Sequence, residues 1–510
     1  MNFLFLSLFC FVFLPPFGEG TKNLEDISSG SKNNEATAGD AQQSDEQFLM
    51  GQIEEAKKWA LANGLIQRGR FAPFSLFPSP FPRALFHKAV DVQKSLQLLY
   101  FRAMRDFDFL KEMHRDITEE FRQTVDFTEN CYKDGFKQPL ILFCQRADYM
   151  THESEENNEK KLELKQVEVN AGPVGGFGTS SRVTMLHQHV LSMANADTSP
   201  SALPPNHTDT MVAKALHMAW NEFGNREAVI LFLHSSPFDP RLIESRQVAN
   251  EVKRISNGRT KCVFLILREA IERLKLHPKD FSLILDEKFL VAVAVHRYSS
   301  ATPRELTFTR EIIRRSTAIQ DTYRSLLAHT KRMQQLFTLP GVVEHFFPRP
   351  EEAHMVKAIR EVLTKSWSIG EGDEEAEEII KKVKINPEKY VMKWNECGAS
   401  MKGKKIFFGD EIIEKLDKMT NFERNNFIIM EKLRPMQVKN HFIFPNSAPI
   451  FNVAATPELG IFGCLLGNIE DGTVLQQFSG EAHQMKTKSA TENEGGIWKG
   501  KSVYDSPLLM

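Results

Sequence analysis

Residues 162–182 read LELKQVEVNAGPVGGFGTSSR, and this stretch changes character in its middle. Side chains alternate up to residue 170, which predicts a β-strand; a glycine-rich turn follows, and residues 182–191 predict a helix. Side chains two positions apart on a strand share a face, so Glu168 and Asn170 present two oxygen ligands side by side. Mg²⁺ binds few protein oxygens and fills its shell with phosphate and water, so the pair fits this cation. The alternative interpretation is an exposed strand face before an ordinary turn.

The composition is that of a large chain with balanced charge. Its 510 residues are 42% hydrophobic and 25% charged, which predicts a sizeable core and about two to four lobes. The 64 basic and 66 acidic residues give a formal net charge of -2, so the sequence offers no basic field for nucleic acid or an anionic membrane. Phenylalanine is abundant at 39 residues against 7 tyrosines, which favours apolar cores over base-stacking surfaces.

The N-terminal segment differs from the rest of the chain. Residues 3–13, FLFLSLFCFVF, form an apolar run that is too short to span a bilayer and is followed by proline and glycine. This pattern predicts a secretory signal over residues 1–20, with cleavage near residues 18–20, and hence a secreted protein with no membrane segment in its mature form. Residues 21–47 are polar and predict a disordered linker.

Cysteine usage is unusual for a secreted chain. Beyond the predicted signal, five cysteines are scattered without a metal-binding spacing, so zinc is not expected: Cys131, Cys144, Cys262, Cys397 and Cys464. The body of the chain therefore resembles a cytosolic type of fold exported by an added signal. One glycosylation sequon, Asn206-His207-Thr208, lies in a proline-rich loop and is available for use if the chain is exported.

The periodicity predicts a mixed architecture. A long helical region over residues 84–134 precedes a buried strand over 140–149. Strands and helices then alternate as far as a helix over 310–333, which predicts an α/β lobe with a parallel sheet. Later strands, including separate ones at 450–455 and 461–466, predict an antiparallel sheet. The fold class is thus multi-lobe, α+β with an α/β lobe, and the predicted divisions are residues 1–20, 21–47, 48–223, 224–330 and 331–510.

A strand that ends in Lys393 precedes the loop WNECGASMKGKK. A lysine followed by a small-residue loop that carries a carboxylate, Glu396, is one way to hold phosphates and a metal. Loops rich in glycine, serine and lysine are also common hairpins, so this pattern alone is weak.

Three further patterns suit a nucleotide. The residues Met430, Glu431, Lys432 and Leu433 end a strand and could form an adenine hinge, although an ordinary strand end is the commoner case. Glu458 precedes a buried strand and could meet a ribose. Lys486 and Lys488 are two positions apart, so both side chains face one side of a strand. This pattern is equally compatible with an anion-binding pair and with a solvated strand.

Six motifs occur in order: APFSLFP from residue 72, RADYM from residue 146, LKQVEVN from residue 164, MEK from residue 430, ELGIFG from residue 458 and KTK from residue 486. Together they resemble the motifs of eukaryotic glutathione synthetase, an ATP-grasp ligase. The resemblance runs from about residue 48 to the end of the chain. It implies an ATP-grasp fold with an inserted parallel α/β substrate-binding lobe, and a homodimer.

The resemblance also implies a reaction. ATP and Mg²⁺ would activate the carboxylate of γ-glutamylcysteine as an acyl phosphate, which the amine of glycine then attacks. The implied metal ligands are Glu168, Asn170 and Glu396, and the implied catalytic residues are Arg146, Lys393 and Lys486. The implied nucleotide contacts are Glu168, Lys331, Lys393, Phe408, Met430, Glu431, Lys432, Leu433, Glu458, Lys488 and Glu494. The implied substrate contacts are Arg146, Pro173, Val174, Gly175, His234, Arg297, Lys486, Ile497 and Trp498.

The departures from the family pattern lie where substrate should bind. After Asn170 the family's loop contains serine, whereas this chain has no hydroxyl before Thr179. The family's phosphate-covering loop has consecutive glycines, and residues 397–401 here read CGASM. Lys486 replaces an arginine and loses its bidentate fork, and Ile497-Trp498 replaces a pair of small residues. The nucleotide half is therefore retained in part and the acceptor half is rewritten.

Three interpretations follow from this pattern. The protein is a working or weakened glutathione synthetase, or a ligase with the same phosphorylation step and a different acid and amine. The third is a secreted, non-catalytic interaction protein with a host target, similar to the secreted glutathione-synthetase-like effectors of plant-parasitic nematodes. We expect the first or second, with an altered substrate site.

Overall fold

The computed structural model describes residues 38–114, 119–133, 135–156, 159–172, 174–297, 302–320, 325–370, 374–395 and 405–510. In chain order the strands are β1 (Ile66–Gln67), β2 (Arg70–Phe71), β3 (Phe74–Ser75), β4 (Ser79–Phe81), β5 (Leu140–Glu156), β6 (Glu159–Ala171), β7 (Val229–His234), β8 (Lys261–Ile266), β9 (Leu274–Leu276), β10 (Leu283–Leu285), β11 (Phe289–His296), β12 (Ile319–Gln320), β13 (Ser366–Ser368), β14 (Tyr390–Trp394), β15 (Ile406–Phe408), β16 (Phe427–Glu431), β17 (Val438–Ile443), β18 (Ile450–Asn468), β19 (Val474–Phe478), β20 (His483–Ser489), β21 (Ser502–Asp505) and β22 (Pro507–Leu509).

Helices cover these strands, and in the described ranges none of them is long and apolar enough to cross a membrane. The α-helices are Ala38–Ala62, Arg83–Arg105, Phe107–Met113, Glu119–Lys133, Thr179–Met193, Thr208–Phe223, Leu242–Ile255, Leu267–Arg273, Pro303–Arg314, Ser325–Ala328, Lys331–Leu336, Val342–Phe346, Ala353–Val362, Glu374–Ile385, Asp410–Lys418 and Asn421–Arg424. Short 3-10 helices are Pro350–Glu352, Pro387–Lys389 and Ile497–Lys499.

The strand predicted over residues 162–170 is β6, which pairs antiparallel with β5. Asp148 lies opposite Glu168 and Arg146 opposite Asn170. Between Asp148 and Tyr149 the register shifts by one residue, which leaves Val167 as a β-bulge next to Glu168. The other edge of β5 pairs antiparallel with β18 from residue 459 to residue 468. Strand β5 is therefore central to a 14-stranded sheet.

The parallel part of this sheet confirms the predicted α/β arrangement. Strands β7, β8, β11 and β12 pair in parallel, and β12 pairs in parallel with β5, so the lobe shares the large sheet. The predicted helix over 310–333 is wrong in its middle, because a helix ends at Arg314 and β12 follows. The Ser316 hydroxyl donates to the carbonyl of Ile313 and accepts from the amide of Ala318, which turns the chain out of the helix.

The last third of the chain divides between two sheets. Strands β13 to β16 form a separate four-stranded sheet, while β17 to β21 join the large sheet. The strands of residues 331–510 therefore belong to more than one sheet. The two strands predicted at 450–455 and 461–466 are one strand, β18, because its partners β17, β20 and β5 overlap along its length.

The N-terminal part of the described chain is helical. The helix Ala38–Ala62 begins inside the stretch predicted as a linker, and it ends before Gly64, whose φ of 75° lies in the left-handed region. Residues 1–37, with the predicted signal, lie outside the described residues. The helical region predicted over 84–134 is three helices, since Asp106 accepts from the amide of Phe109 and starts a new helix.

The structure bears on the glycosylation sequon and on the cysteines. Asn206 is 6% exposed and its amide donates to Ser180, Thr184 and His483, so the folded chain does not offer the sequon for glycosylation. Cys144 on β5 lies directly opposite Cys464 on β18, and the two form a disulfide that the sequence spacing did not indicate. Within the described side chains Cys262 is the free thiol.

We expect removal of this disulfide to destabilise the central sheet. It joins positions 320 residues apart, so its loss releases a long loop in the unfolded chain. The double change Cys144→Ala and Cys464→Ala should lower the free energy of unfolding by roughly 2–5 kcal/mol, measured in urea. Cys262→Ala is the control, with little effect expected. An equal midpoint for the double variant and the parent would contradict a formed disulfide.

Candidate active site

The middle of β5 and the end of β6 place four polar side chains in contact. Nε and Nη2 of Arg146 donate to the two oxygens of Asp148 at 2.5 and 2.8 Å. Nδ2 of Asn170 donates to Asp148 and to Glu168, both at 3.0 Å. The predicted pairing of Glu168 and Asn170 on one strand face is thus present, and Asp148 from the neighbouring strand completes it.

Two lysines approach this group from other elements. Thr330 caps the helix Lys331–Leu336 by accepting from the amide of Met333, and Nζ of Lys331 lies 2.9 Å from Oε2 of Glu168. Lys393 comes from β14 of the four-stranded sheet, and its Nζ donates to the carbonyl of Val167 at 3.0 Å. The cluster therefore lies where the two sheets meet.

Strands β18 and β20 supply the third side of the cluster. Nζ of Lys486 lies 2.6 Å from Oε1 of Glu458 and 3.5 Å from Oδ2 of Asp148. Lys488, two residues further on, donates instead to the carbonyls of Glu492 and Asn493 and holds the following turn. The sequence predicted one face for both lysines, and the structure gives them separate partners.

The electrostatics of the cluster follow from burial and from four cations beside three carboxylates. The ammonium of Lys331 holds the pKa of Glu168 well below its usual range, against the effect of burial. Burial opposes the charge on Lys486, but Glu458 and Asp148 outweigh it and raise the pKa of that lysine. Burial, with the charge of Lys331, lowers the pKa of Lys393 to about 8.

The donor set fits a hard divalent cation. Asp148, Glu168 and Glu458 each offer a carboxylate oxygen, and these oxygens lie within 4.8 Å of one another. Carboxylate oxygens are the ligands that Mg²⁺ prefers. Asn170 acts as a hydrogen-bond donor to two of these carboxylates, and a rotated amide would present its oxygen to the same space. The third predicted ligand, Glu396, lies outside the described residues.

The predicted nucleotide hinge is part of the four-stranded sheet. Met430 and Glu431 end β16. The backbone amide of Glu431 donates to the carbonyl of Lys365, and that of Lys432 donates to the carbonyl of Lys389. Leu433 follows directly in the chain. Nζ of Lys432 lies 5.8 Å from the centre of the Phe408 ring, so these two predicted contacts are neighbours.

Two of the predicted residues are engaged away from the carboxylates. Glu494 pairs with Lys499 at 3.0 Å. Ile497 is buried in the apolar core that contains Ile53 and Tyr504. Pro173 lies outside the described residues, as does the side chain of Trp498.

The glycine-rich loop binds two predicted substrate arginines through its backbone. The carbonyl of Gly175 accepts from Nη1 of Arg146 at 3.1 Å, and the carbonyl of Val174 accepts from Arg297. Gly176, with a φ of 102° that favours glycine, donates its amide to Glu244. Glu244 also lies 3.1 Å from Nη2 of Arg297, which is 1% exposed.

His234 ends β7 close to this arginine. It is 1% exposed, and within the described chain neither ring nitrogen has a hydrogen-bond partner. Burial, with the charge of Arg297, lowers the pKa of His234 to about 4, so the ring is neutral at physiological pH.

Sequence analysis missed three residues of the site. Asp148 lies two positions after Arg146, so strand alternation could have placed both on one face. Gln484 lies two positions before Lys486 on β20, and its Oε1 accepts from Arg146 at 2.8 Å. Glu244, on a helix of the parallel lobe, carries no local sequence signal.

Comparison with known proteins agrees with this geometry. Residues 46–509 match the family model described as eukaryotic glutathione synthase, ATP binding domain. The chain belongs to the eukaryotic glutathione synthetase family. Glutathione synthetase of Bos taurus is 28% identical over 486 residues, covering 91% of this chain and 97% of the relative, and that of Dictyostelium discoideum is 25% identical over 482 residues, covering 89% and 98%.

A solved structure is also similar to this member of the glutathione synthetase family. It is that of a glutathione synthetase-like effector (GSS30) from Globodera pallida in apoform, with a TM-score of 0.76 and 45% identity. The match covers 91% of this chain and 97% of that one. The multi-lobe α/β fold is therefore confirmed, and the glutathione synthetase family is one of ATP-binding ligases.

We predict opposite stability effects for two lysines of the site. Lys393 is 7% exposed with a lowered pKa, so its charge is disfavoured in the folded state, and Lys393→Met should raise the free energy of unfolding by about 1–3 kcal/mol. Lys331→Met is the matched control, which leaves Glu168 without its nearest cation and should lower that free energy by about 1–3 kcal/mol. Urea unfolding at pH 7 measures both. Equal decreases in the free energy of unfolding of the two variants would contradict the conclusion that the charge of Lys393 is disfavoured in the folded state.

Proposed function

We propose that the protein is a secreted glutathione synthetase-like ligase that uses ATP and Mg²⁺ to join a carboxylic acid to an amine at a remodelled substrate site. The observation that carries this proposal is the cluster of three carboxylates with four cations, at the junction of the two sheets. Family membership supports the reaction class. The parent substrates are γ-glutamylcysteine and glycine.

In this proposal the carboxylates of the cluster hold the metal and its lysines contact the phosphates. Glu168, with Asp148 and Glu458, would hold Mg²⁺, which neutralises phosphate charge when bound. Lys393, with no carboxylate among the described residues within ion-pair distance, is poised to meet a phosphate, and Lys331 can exchange Glu168 for one. Fixed positive charge of this kind stabilises a transferring phosphoryl group without reorganisation.

The acid and amine positions support a change of substrate. Arg146, Arg297 and Lys486 contact Asp148, Glu244 and Glu458 respectively. A substrate carboxylate must displace a carboxylate of the chain to reach any of these cations. Efficient synthesis from γ-glutamylcysteine and glycine is therefore not what these contacts favour.

A second candidate is a non-catalytic effector that uses the same scaffold to bind a host target. The 45% identity to a structure described as a glutathione synthetase-like effector favours it. In this candidate the nucleotide cluster is retained for stability or ligand binding, and the altered substrate site has no turnover.

We predict Mg²⁺-dependent release of ADP by the chain without residues 1–20. γ-Glutamylcysteine and glycine would be tested separately and together, beside other acid and amine pairs. Glu168→Ala should abolish release because it removes a carboxylate that would hold the metal, whereas Glu159→Ala, an exposed change on the same strand, should not.

Each outcome separates the candidates. Release that needs an acid and an amine, and is lost with Glu168→Ala, supports the ligase and excludes a purely non-catalytic role. ATP binding by calorimetry with no release for any pair supports the effector instead. No binding of ATP at all contradicts the proposed nucleotide site.

Secretion is supported by two independent features. Residues 3–13 are an apolar run of the kind that export signals contain. The Cys144–Cys464 disulfide is of the kind that persists in oxidising compartments.

We predict that a eukaryotic secretory host exports the full-length chain with a new N-terminus near residues 18–20. N-terminal sequencing of protein from the medium measures this. Deletion of residues 3–13 should retain the chain in the cell, while deletion of residues 22–32 in the polar segment should leave export intact. Full-length protein that stays in the cytosol with an intact Met1 would contradict the prediction.

A further inference from the structure

The four-stranded sheet is joined to the rest of the chain by an entry and an exit. Its strands β13 to β16 are consecutive in the chain, so the polypeptide enters this sheet just before Ser366 and leaves it just after Glu431. Both connections contact the hairpin of β5 and β6. At the entry, the hydroxyl of Thr364 donates to the carbonyl of Gln166 on β6 at 2.7 Å. At the exit, residues 432–437 contact β5.

The exit connection follows the predicted adenine hinge and lies along β5. The pairing of β18 with β5 ends at Tyr149, and the connection contacts β5 beyond that point. The amide of Glu153 donates to the carbonyl of Arg434 at 2.8 Å, and the carbonyl of Glu153 accepts from Nε of Arg434 at 3.0 Å. The hydroxyl of Thr151 accepts from the amide of Met436 at 2.9 Å. The connection between the two sheets is therefore anchored on β5 directly after the hinge.

His152 holds the same connection through its imidazole ring. The residue is 6% exposed, and Nδ1 accepts from the backbone amide of Arg434 at 3.0 Å. A backbone amide can only donate, so Nδ1 must be unprotonated and the neutral ring carries its proton on Nε2. Protonation of Nδ1 would place two N–H groups against each other and remove this hydrogen bond.

Burial and the neighbouring charges decide when this ring is protonated. Burial is the largest effect and lowers the pKa of His152 from its ordinary value. The charged groups that face the ring come from β6, from β16 and from the connection, and they carry both signs: Glu163, Lys165, Glu431 and Arg434. The ring is therefore neutral near pH 7, and the hydrogen bond to the connection is lost as the pH falls through the pKa of the ring.

We propose that His152 is a positioning residue for the nucleotide, whose neutral ring fixes the connection after the adenine hinge and whose protonation releases it and weakens ATP binding in acid. This inference rests on the proposed ligase function, because it takes residues 430–433 as the contacts of the adenine. It assigns a role to a residue that the proposed mechanism does not use. The pH dependence that it adds arises outside the carboxylate cluster.

Two variants separate the acceptor from the bulk of the ring. Oδ1 of asparagine lies the same number of bonds from the backbone as Nδ1 of histidine, so His152→Asn keeps an acceptor that does not titrate. In calorimetry on the chain without residues 1–20, His152→Asn should bind ATP with Mg²⁺ as the parent does at pH 7.5. His152→Leu has no acceptor and should bind at least about fivefold more weakly at that pH.

The pH profile distinguishes a positioning role from a structural one. Between pH 7.5 and pH 5 the parent should lose at least about threefold more ATP affinity than His152→Asn. The ATP phosphates and the other ionisable groups titrate in both proteins, so the ratio of the two affinities reports on His152.

His441→Leu is the matched control. Nδ1 of His441 accepts from the backbone amide of Asn452 at 3.1 Å, which is the same kind of hydrogen bond, but it lies between β17 and β18. This variant should leave ATP affinity unchanged. Thermal unfolding at each pH confirms that every variant is folded.

Hydrogen exchange measures the anchor without a nucleotide. After correction for the intrinsic effect of pH on exchange, the amides of residues 432–437 should lose protection at pH 5 in the parent. They should lose it at both pH values in His152→Leu and keep it in His152→Asn.

The outcomes separate this inference from the ligase proposal. A parent-to-asparagine affinity ratio that does not change with pH overturns the inference, as does equal ATP binding by His152→Leu and the parent at pH 7.5 or an equal loss with His441→Leu. In these cases ATP still binds and the ligase proposal stands. Unchanged protection of residues 432–437 in His152→Leu overturns the inference whether or not ATP binds. Lost protection with no ATP binding by the parent contradicts the nucleotide site of the ligase and, with it, the positioning role.

Discussion

Strand β5 is the constraint on which the site depends, because it pairs with β6 along one edge and with β18 along the other. Side chains two positions apart on a strand share a face, so these two pairings bring Arg146 and Asp148 beside Glu168 and Glu458. Their burial then forces the arrangement of the remaining charges. A buried carboxylate without a cation would be costly, and Lys331 and Lys486 supply the cations.

The same arrangement means that a ligand and the carboxylates of the chain compete for the same cations. Most cations that would meet phosphate or substrate already contact a carboxylate of the chain, so a ligand has to replace an existing interaction. Lys393 differs, since its nearest described partner is the carbonyl of the bulged residue Val167. Its charge is disfavoured until an anion arrives, which is the stability cost that functional sites commonly carry.

Local pattern was sufficient for much of the fold and for part of the site. The alternation before residue 170 predicted β6 and the shared face of Glu168 and Asn170, and both are present. The helix predicted to continue to residue 333 is wrong, because the side chain of Ser316 contacts the carbonyl of Ile313 and ends the helix. Periodicity does not encode such a contact.

Long-range pairing accounts for what the sequence could not supply. Lys331 and Glu168 are 163 positions apart, and Cys144 and Cys464 are 320 apart. Neither pair has a spacing that distinguishes it from other lysines, carboxylates or cysteines. The family motifs pointed to Lys331 through resemblance, whereas nothing comparable pointed to Glu244 or to the disulfide.

Strand β18 also has a consequence for how the chain is made. Its 19 residues cross the centre of the sheet, and its partner β5 is synthesised about 300 positions earlier. Strand β5 therefore leaves the ribosome with one edge unpaired and stays so until nearly the whole chain has emerged. Such non-local pairing slows folding, and the ion cluster is complete only after Glu458 of β18 and Lys486 of β20 have been synthesised.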